Sequence, residues 1–240
     1  MVASSKDKSY TYIPKDYTLP AGVKYLHITS NNTVRGTQCH KFPAVDVPLV
    51  CDASSDIFSR SLDISKFGLI YAGAQKNMGP AGTALVIVKK DLLGKLERDI
   101  PTMLDYRTHI EKGSAFNTPP VFPIYVSMLN LRWVKAQGGV EVMAKRNAAK
   151  AKLIYDAIEA SSLFECPNAV EDRSVMNAVF VIKNPDLEGA FLKACEAANC
   201  SAVKGHRSVG GFRASMYNAM GIESVEVLVK VIEEFTAAHA

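Results

Sequence analysis

The feature that most constrains the fold is a series of short, nearly continuous apolar runs in the first half of the chain. The run "VPLVCD" ends at Asp52, "FGLIYAGAQK" ends at Lys76, and "GTALVIVKK" follows a turn that is rich in glycine. Apolar runs of this length are typical of strands that are buried on both faces, as in a mostly parallel sheet. The sequence therefore predicts an α/β fold in which both faces of the sheet are covered.

The second half of the chain predicts helices and a smaller α+β unit. Pro123 marks the start of one helix, which "QGG" ends at Gly139, and a long amphipathic helix then ends near Ser161. "MNAVFVIK" predicts a strand, "LEGAFLKACEAANC" predicts a helix, and two short strands are expected around "GHRSVGG". An amphipathic helix closes the chain.

Composition excludes several classes of function. Of the 240 residues, 48% are hydrophobic, so a packed globular core is expected. The formal charge of +4 is mild, and Lys145, Arg146, Lys150 and Lys152 recur at helical spacing. We interpret them as the solvated face of a helix and not as a nucleic-acid surface. No apolar stretch reaches the length of a membrane span.

The cysteines and histidines do not indicate a metal site. The five cysteines are odd in number and match no zinc or redox spacing, and Cys51 and Cys195 lie in apolar contexts that predict core positions. His27, His40 and His109 have no carboxylate or cysteine at ligand spacing, so we assign no metal. A reducing, cytoplasmic location fits these free thiols best.

Polar residues collect where three of the predicted strands end. Asn32 and Thr33 follow the first run, Asp52 ends the second, and Gln75 and Lys76 end the third. In open α/β sheets, ligands bind outside the carboxyl ends of the strands. The sequence therefore predicts a ligand site at this edge of the sheet.

Lys76 is the residue of this set with the most distinctive chemistry. A lysine among Gly and Ala at a strand end is partly desolvated, which favours the free amine and its reaction with an aldehyde. The small neighbours leave room for a flat ring. For a lone lysine, an exposed position in a loop is the default interpretation.

The other candidates allow two interpretations each. Asp52 fits either a carboxylate beside a pyridine nitrogen or the N-cap of a helix. Thr33 fits either a contact to the ring or a simple turn. Gln75, Asn117 and Thr118 offer donors to a phosphate, although "FNTPP" is also typical of a turn before a helix.

The segment "GHRSVGGFR" carries three further candidates. Arg207 and Arg213 lie with His206 among glycines, and arginine binds carboxylate and phosphate through two parallel hydrogen bonds. From composition alone, a flexible basic hairpin is the simpler interpretation.

Taken together, these stretches resemble the phosphoserine aminotransferases, which are pyridoxal-phosphate enzymes of the aspartate-aminotransferase fold type. The resemblance is carried by "HITSNNTVRGT", "VCDASSDIFSRSLDISKFGLIYAGAQKNMGPAG", "PTMLDYRTHIEKGSAFNTPPVFPIY" and "KGHRSVGGFRASMYNAM". It implies a large domain with a mostly parallel sheet in residues 1–138, including an interface loop, and a small C-terminal α+β domain in residues 139–240.

The resemblance also implies a role for each candidate. Lys76 would bond to the cofactor aldehyde and later move the substrate proton, and Asp52 would pair with the pyridinium nitrogen. Thr33 would contact the cofactor, and Gln75 would bind its phosphate. His206 and Arg207, with Arg213 as a weaker candidate, would hold the anionic groups of the substrates, which are L-glutamate and 3-phosphohydroxypyruvate.

The resemblance also implies that two residues of the interface loop belong to the site of a second subunit. Asn117 and Thr118 would reach the cofactor phosphate of a second subunit, which would make the active form a homodimer with shared sites. Members of the family begin well upstream of Met1, so we expect this chain to correspond to the C-terminal portion of such an enzyme. The alternative to an active aminotransferase is therefore an inactive or partner-dependent fragment.

Overall fold

The computed structural model describes residues 1–239, which form three separate sheets and five α-helices. The strands are β1 (Leu26–Thr29), β2 (Asn31–Asn32), β3 (Thr37–Gln38), β4 (Leu49–Asp52), β5 (Leu69–Gly73), β6 (Ala84–Val88), β7 (Phe164–Glu165), β8 (Asn177–Ile182) and β9 (Phe212–Ser215). The helices are α1 (Tyr106–Glu111), α2 (Val121–Ala136), α3 (Gly139–Ala160), α4 (Glu188–Ala197) and α5 (Ile222–His239).

The first sheet has the strand order β1-β4-β5-β6. Strands β1, β4 and β5 are parallel, whereas β6 runs antiparallel to β5. This arrangement confirms the prediction of a mostly parallel sheet. The register places Thr29, Asp52 and Tyr71 side by side on neighbouring strands, so their side chains project from the same face.

One face of this sheet is buried and the other is half exposed. Leu49, Cys51 and Ile70 are buried on the first face, where they pack with Ile57 and Phe67. On the second face His27 and Thr29 are exposed, and Asp52 and Tyr71 are only partly buried. Within residues 1–239 the second face of the sheet is therefore only partly covered, and burial alternates along the strands.

The second core contains a cluster of five phenylalanines. Strands β7, β8 and β9 form an antiparallel sheet that packs with α3, α4 and α5. Phe164, Phe180, Phe191, Phe212 and Phe235 are all at most 6% exposed, and many of their ring pairs meet edge to face or tilted. This geometry is favourable because the positive edge of one ring meets the negative face of another.

Only one of the two strands predicted around "GHRSVGG" is formed. The second becomes β9, whereas the first is reduced to an isolated bridge between Lys204 and Phe212. The intervening turn closes with a hydrogen bond from the Gly205 N–H to the Gly211 carbonyl, and Gly210 and Gly211 have φ angles of +76° and +61°. This tight reversal leaves no length for a second strand.

The long helices follow the prediction closely. Helix α3 ends at Ala160, and Ser161 follows as its C-cap in an extended conformation. Helix α2 begins at Val121, so Pro123 lies within its first turn, where a missing N–H costs nothing. The position of Lys150 on α3 differs from the prediction. It was expected on a solvated face, but it is only 1% exposed.

The two hydrophobic cores lie on either side of residue 138, where the large and the small domain are expected to meet. The N-terminal segment nevertheless contacts the second unit, because Ala169 donates to the Thr11 carbonyl and Ile13 donates to the Asp172 carboxylate. Every helix within residues 1–239 is too short or too polar to cross a bilayer.

Candidate active site

Lys76 lies in a tight turn directly after β5. The backbone N–H groups of Lys76, Met78 and Gly79 all donate to the Ala74 carbonyl, at 2.7, 3.2 and 2.8 Å. A Cβ at Gly79 would lie 2.3 Å from Ser127 Oγ and 2.9 Å from Ser127 Cα on α2. The turn therefore packs directly on α2, which requires glycine at this position.

The amine of Lys76 is half-buried and donates to a hydroxyl. Its Nζ lies 2.7 Å from Thr33 Oγ1, and Lys76 forms no salt bridge within residues 1–239. Burial lowers the pKa of Lys76, the charge of Arg213 lowers it further, and the carboxylates of Asp52 and Asp56 oppose this shift. The free amine is thus favoured relative to an exposed lysine.

Asp52 ends β4 on the half-exposed face of the sheet. Its Oδ1 accepts the N–H of Ser54 at 2.9 Å, and Ser54 Oγ in turn accepts the N–H of Gly73 at 3.0 Å. The residues after Asp52 form turns and not an α-helix, so Asp52 is not an α-helix N-cap. Burial and the Asp52 charge raise the pKa of the neighbouring Tyr71.

Thr33 and Arg213 come together from distant parts of the chain. Thr33 lies in the turn between β2 and β3, and its carbonyl accepts Arg213 Nη1 from β9 at 3.2 Å. Arg213 Nε is buried and has no hydrogen-bond partner within residues 1–239. Thr33 thus contacts Lys76 through its hydroxyl and Arg213 through its carbonyl, and neither of these side chains forms a salt bridge within residues 1–239.

The remaining predicted residues do not join this group in the described chain. Gln75 is exposed, and its amide oxygen folds back over Gly73. Asn117 and Thr118 are exposed in the segment before α2. His206 and Arg207 lie in the exposed turn before β9, where His206 Nδ1 is 2.7 Å from Ser208 Oγ.

Sequence reasoning missed a buried polar network beneath Lys76. Asp56 is 0% exposed and accepts hydrogen bonds from Ser30, Gln38 and Arg60. Asn31 Nδ2 donates to Ser55 Oγ and Asn177 Oδ1, both at 2.8 Å, and thereby joins the two cores. The signal of this network in the sequence was the four-residue spacing between Asp56 and Arg60.

Comparison with known proteins gives a consistent family assignment. Residues 2–228 match the family described as aminotransferase class-V. The chain is 58% identical over 233 residues to a phosphoserine aminotransferase of Flavobacterium johnsoniae, and the match covers 97% of this chain and 65% of that relative. The chain thus spans about two thirds of the length of this relative.

Solved structures agree with the sequence comparison. The phosphoserine aminotransferase of Bacillus circulans subsp. alkalophilus superposes with a TM-score of 0.95 at 45% identity, over 100% of this chain and 67% of that one. The pyridoxal-phosphate-bound phosphoserine aminotransferase of Trichomonas vaginalis gives a TM-score of 0.89 at 35% identity, over 94% and 65%. The fold is therefore that of the aspartate-aminotransferase-like enzymes, and the chain belongs to the class-V aminotransferase family.

Proposed function

We propose that this chain functions as a phosphoserine aminotransferase. Such an enzyme moves the amino group of L-glutamate to 3-phosphohydroxypyruvate and yields O-phospho-L-serine for serine biosynthesis. The observation that carries the proposal is the half-buried amine of Lys76, which lies 2.7 Å from the Thr33 hydroxyl and whose pKa responds to the charges of Asp52 and Arg213. Relatives named phosphoserine aminotransferase, which are 58% and 57% identical to this chain, support the choice of substrates.

The residues fit pyridoxal phosphate. An amine whose pKa is lowered by burial suits covalent capture of an aldehyde. Arg213, with a buried Nε that lacks a protein partner, suits an anion. When bound, the cofactor supplies the electron-withdrawing ring that makes removal of the substrate Cα proton feasible.

The chain's own groups then have distinct tasks. Lys76 would hold the cofactor through its aldehyde and, once the substrate amine has displaced the lysine amine, would be free to move the proton at the substrate Cα. Asp52 would hydrogen-bond the ring nitrogen and favour its protonated form. Thr33, which accepts the Lys76 amine at 2.7 Å, would orient that amine and contact the ring, and Gln75 would donate to the phosphate.

The substrates offer carboxylates and a phosphate, so cationic side chains must receive them. Arg213 is the best placed, because it already contacts Thr33 beside Lys76. His206 and Arg207 lie in the exposed turn before β9. We propose that they also bind the anionic groups of the substrates.

We further propose a cytoplasmic homodimer with shared sites. The segment from Leu96 to Leu129 exposes large apolar side chains, among them Leu104 at 71%, Phe122 at 71% and Tyr125 at 54%. A segment that exposes several large apolar side chains is typical of a protein interface. Asn117 and Thr118 lie within this segment, from which they would reach the partner's cofactor phosphate.

The direct test is cofactor capture by Lys76. Pyridoxal phosphate is added to the protein and to Lys76→Ala, followed by borohydride reduction and mass spectrometry of the peptides. We expect a visible absorption band and a reduced cofactor on Lys76 in the native protein, and neither in Lys76→Ala. The exposed Lys90→Ala variant is the control and is expected to behave as the native protein. A cofactor attached elsewhere would reject the proposal.

A second candidate is a partner-dependent form of the same enzyme. It is favoured by the half-exposed face of the sheet around Asp52 and by the 65% coverage of the Flavobacterium relative. Turnover is measured for the chain alone and after addition of the part of that relative that the chain does not match. Turnover that appears only in the mixture would establish the partner-dependent form, and equal turnover in both would exclude it.

A further inference from the structure

Lys150 is a buried lysine without a carboxylate partner. It lies on α3, is 1% exposed, and forms no salt bridge within residues 1–239. Its Nζ donates to the carbonyl oxygens of Met216, Tyr217 and Met220, at 3.1, 2.9 and 3.0 Å. An ammonium that uses all three donors on backbone carbonyls fixes the path of the segment that follows β9.

Three asparagines extend this contact toward the site. Asn147, one turn before Lys150 on α3, donates to Asn218 Oδ1 at 2.8 Å. The backbone N–H of Asn218 donates to Asn77 Oδ1 at 3.0 Å, and Asn77 directly follows Lys76. All three asparagines are at most 5% exposed, so these bonds are shielded from water.

The same residues also hold the segment that follows Asp52. Asn218 Nδ2 donates to the Phe58 carbonyl at 2.9 Å, and Asn147 Nδ2 donates to the Ser59 carbonyl at 3.1 Å. Phe58 has a φ of +59°, which a bulky residue adopts only when its surroundings impose it. One of the carbonyls that accept these hydrogen bonds, that of Phe58, thus lies in a strained turn.

Asn77, Asn147, Lys150 and Asn218 are called the Lys150 cluster. It connects three chain segments, each of which begins at a candidate site residue: Asp52, Lys76 and Arg213. We propose that the Lys150 cluster is a positioning element that fixes the amine of Lys76 relative to the guanidinium of Arg213. This inference deepens the proposed function and rests on it, since these two groups are the proposed cofactor and substrate contacts.

The physical argument concerns unpaired backbone groups. Without the ammonium, the carbonyls of Met216, Tyr217 and Met220 lose the donor that they share, and Tyr217 keeps only the N–H of Met220. The loss is most costly at Met216, which is buried. The segment after β9 would then shift to find water, and Asn218 would draw Asn77 with it. Because Lys76 is adjacent to Asn77, its amine would leave the half-buried position beside Thr33 and Arg213.

The test measures the Lys76 amine in the protein without added cofactor. Competitive labelling with acetic anhydride across alkaline pH, read by mass spectrometry, gives the apparent pKa of Lys76, which faces the charges of Asp52, Asp56 and Arg213. In Lys150→Met we expect this pKa to rise toward its ordinary value, and each unit of rise lowers labelling near pH 8 about tenfold.

The matched control is Lys152→Met on the same helix. Lys152 is 74% exposed and pairs with Asp156, so its loss should leave the Lys76 profile unchanged. Should Lys150→Met fail to fold, Asn77→Ala removes the acceptor of Asn218 and is expected to raise the Lys76 pKa in the same direction.

An unchanged Lys76 profile in a folded Lys150→Met or Asn77→Ala protein would overturn the inference. This readout is independent of cofactor capture. A native protein that shows the lowered Lys76 pKa but does not bind pyridoxal phosphate would reject the proposed function alone.

Discussion

At the scale of single residues, Lys150 and Lys76 are alike in one respect. Both are lysines that lack a carboxylate partner within residues 1–239, and burial lowers the pKa of each. Their surroundings differ, because Lys150 has three carbonyl acceptors whereas Lys76 has a hydroxyl and a neighbouring arginine. Lys150 is therefore fixed by three acceptors, whereas the amine of Lys76 has a single side-chain acceptor.

The stability of the protein should depend on pH through Lys150. Burial, together with the charge of Arg146, lowers its pKa to about 8 in the folded chain, against 10.5 for an ordinary lysine. Between these two values the unfolded chain binds more protons, so folding becomes more favourable as pH rises. Relative to Lys150→Met, the native free energy of unfolding should increase by about 2 kcal/mol from pH 8 to pH 10.

Urea unfolding of both proteins at the two pH values measures this difference. A difference that stays constant with pH would mean that Lys150 keeps an ordinary pKa in the folded state.

The sequence could indicate some of these residues and not others. Lys76 was predictable because a lysine between two apolar runs and next to glycines is unusual in itself. Lys150 was not, since one lysine in a basic helical segment looks like any other, and its burial depends on a segment that is 66 residues away. The contact between Thr33 and Arg213 spans 180 residues and has no local signal either.

At the scale of elements, the contact between the Lys76 turn and α2 sets the position of the turn. Asn130 on α2 donates to the carbonyls of Asn77 and Met78, at 2.8 and 3.0 Å. Ser127, one turn earlier on the same helix, lies under Gly79. Helix α2 thus supports the turn by hydrogen bonds and by close packing.

Gly79→Ala should disturb this contact. The new Cβ would lie 2.9 Å from Ser127 Cα, a backbone atom that cannot move by itself. We expect a loss of about 1–3 kcal/mol in the free energy of unfolding, together with weaker binding of pyridoxal phosphate. Urea unfolding and absorbance titration measure the two effects.

Gly189→Ala is the control for this substitution. A Cβ at Gly189 on α4 meets no atom within 4 Å. This variant should be unchanged or more stable by up to about 1 kcal/mol, because alanine favours helices. Equal stability losses in both variants would contradict the packing argument.

Element types were predictable where the pattern was long, and boundaries were less so. The apolar runs gave β4, β5 and β6, and the 3.6-residue periodicity gave α3 to within a residue of its end. The half-exposed second face of the sheet has no signal in these runs, because an apolar run gives the hydrophobicity of a strand and not what covers it. The strand expected before "GHRSVGG" was wrong because glycines close the turn too early for a ladder.

At the scale of the whole molecule, the exposed apolar surface between Leu96 and Leu129 predicts self-association. Phe122→Asp places a charge at a side chain that is 71% exposed and should shift the protein toward the monomer without lowering its stability. Light scattering after size exclusion measures the shift.

Val170→Asp is the matched control, since Val170 is 69% exposed but lies outside this segment. The same molecular mass in Phe122→Asp and in the native protein would place the interface elsewhere.

Helix α2 has the Lys76 turn on one side and this apolar surface on the other. A partner that binds the exposed side of α2 and stabilises its position also stabilises the Lys76 turn. By linkage, cofactor binding at the turn must favour binding of that partner by the same free energy. In the homodimer proposed above, the apparent affinity for pyridoxal phosphate should therefore depend on the protein's own concentration. Dilution of the protein should weaken the binding of pyridoxal phosphate, and bound pyridoxal phosphate should reduce dissociation of the assembly on dilution.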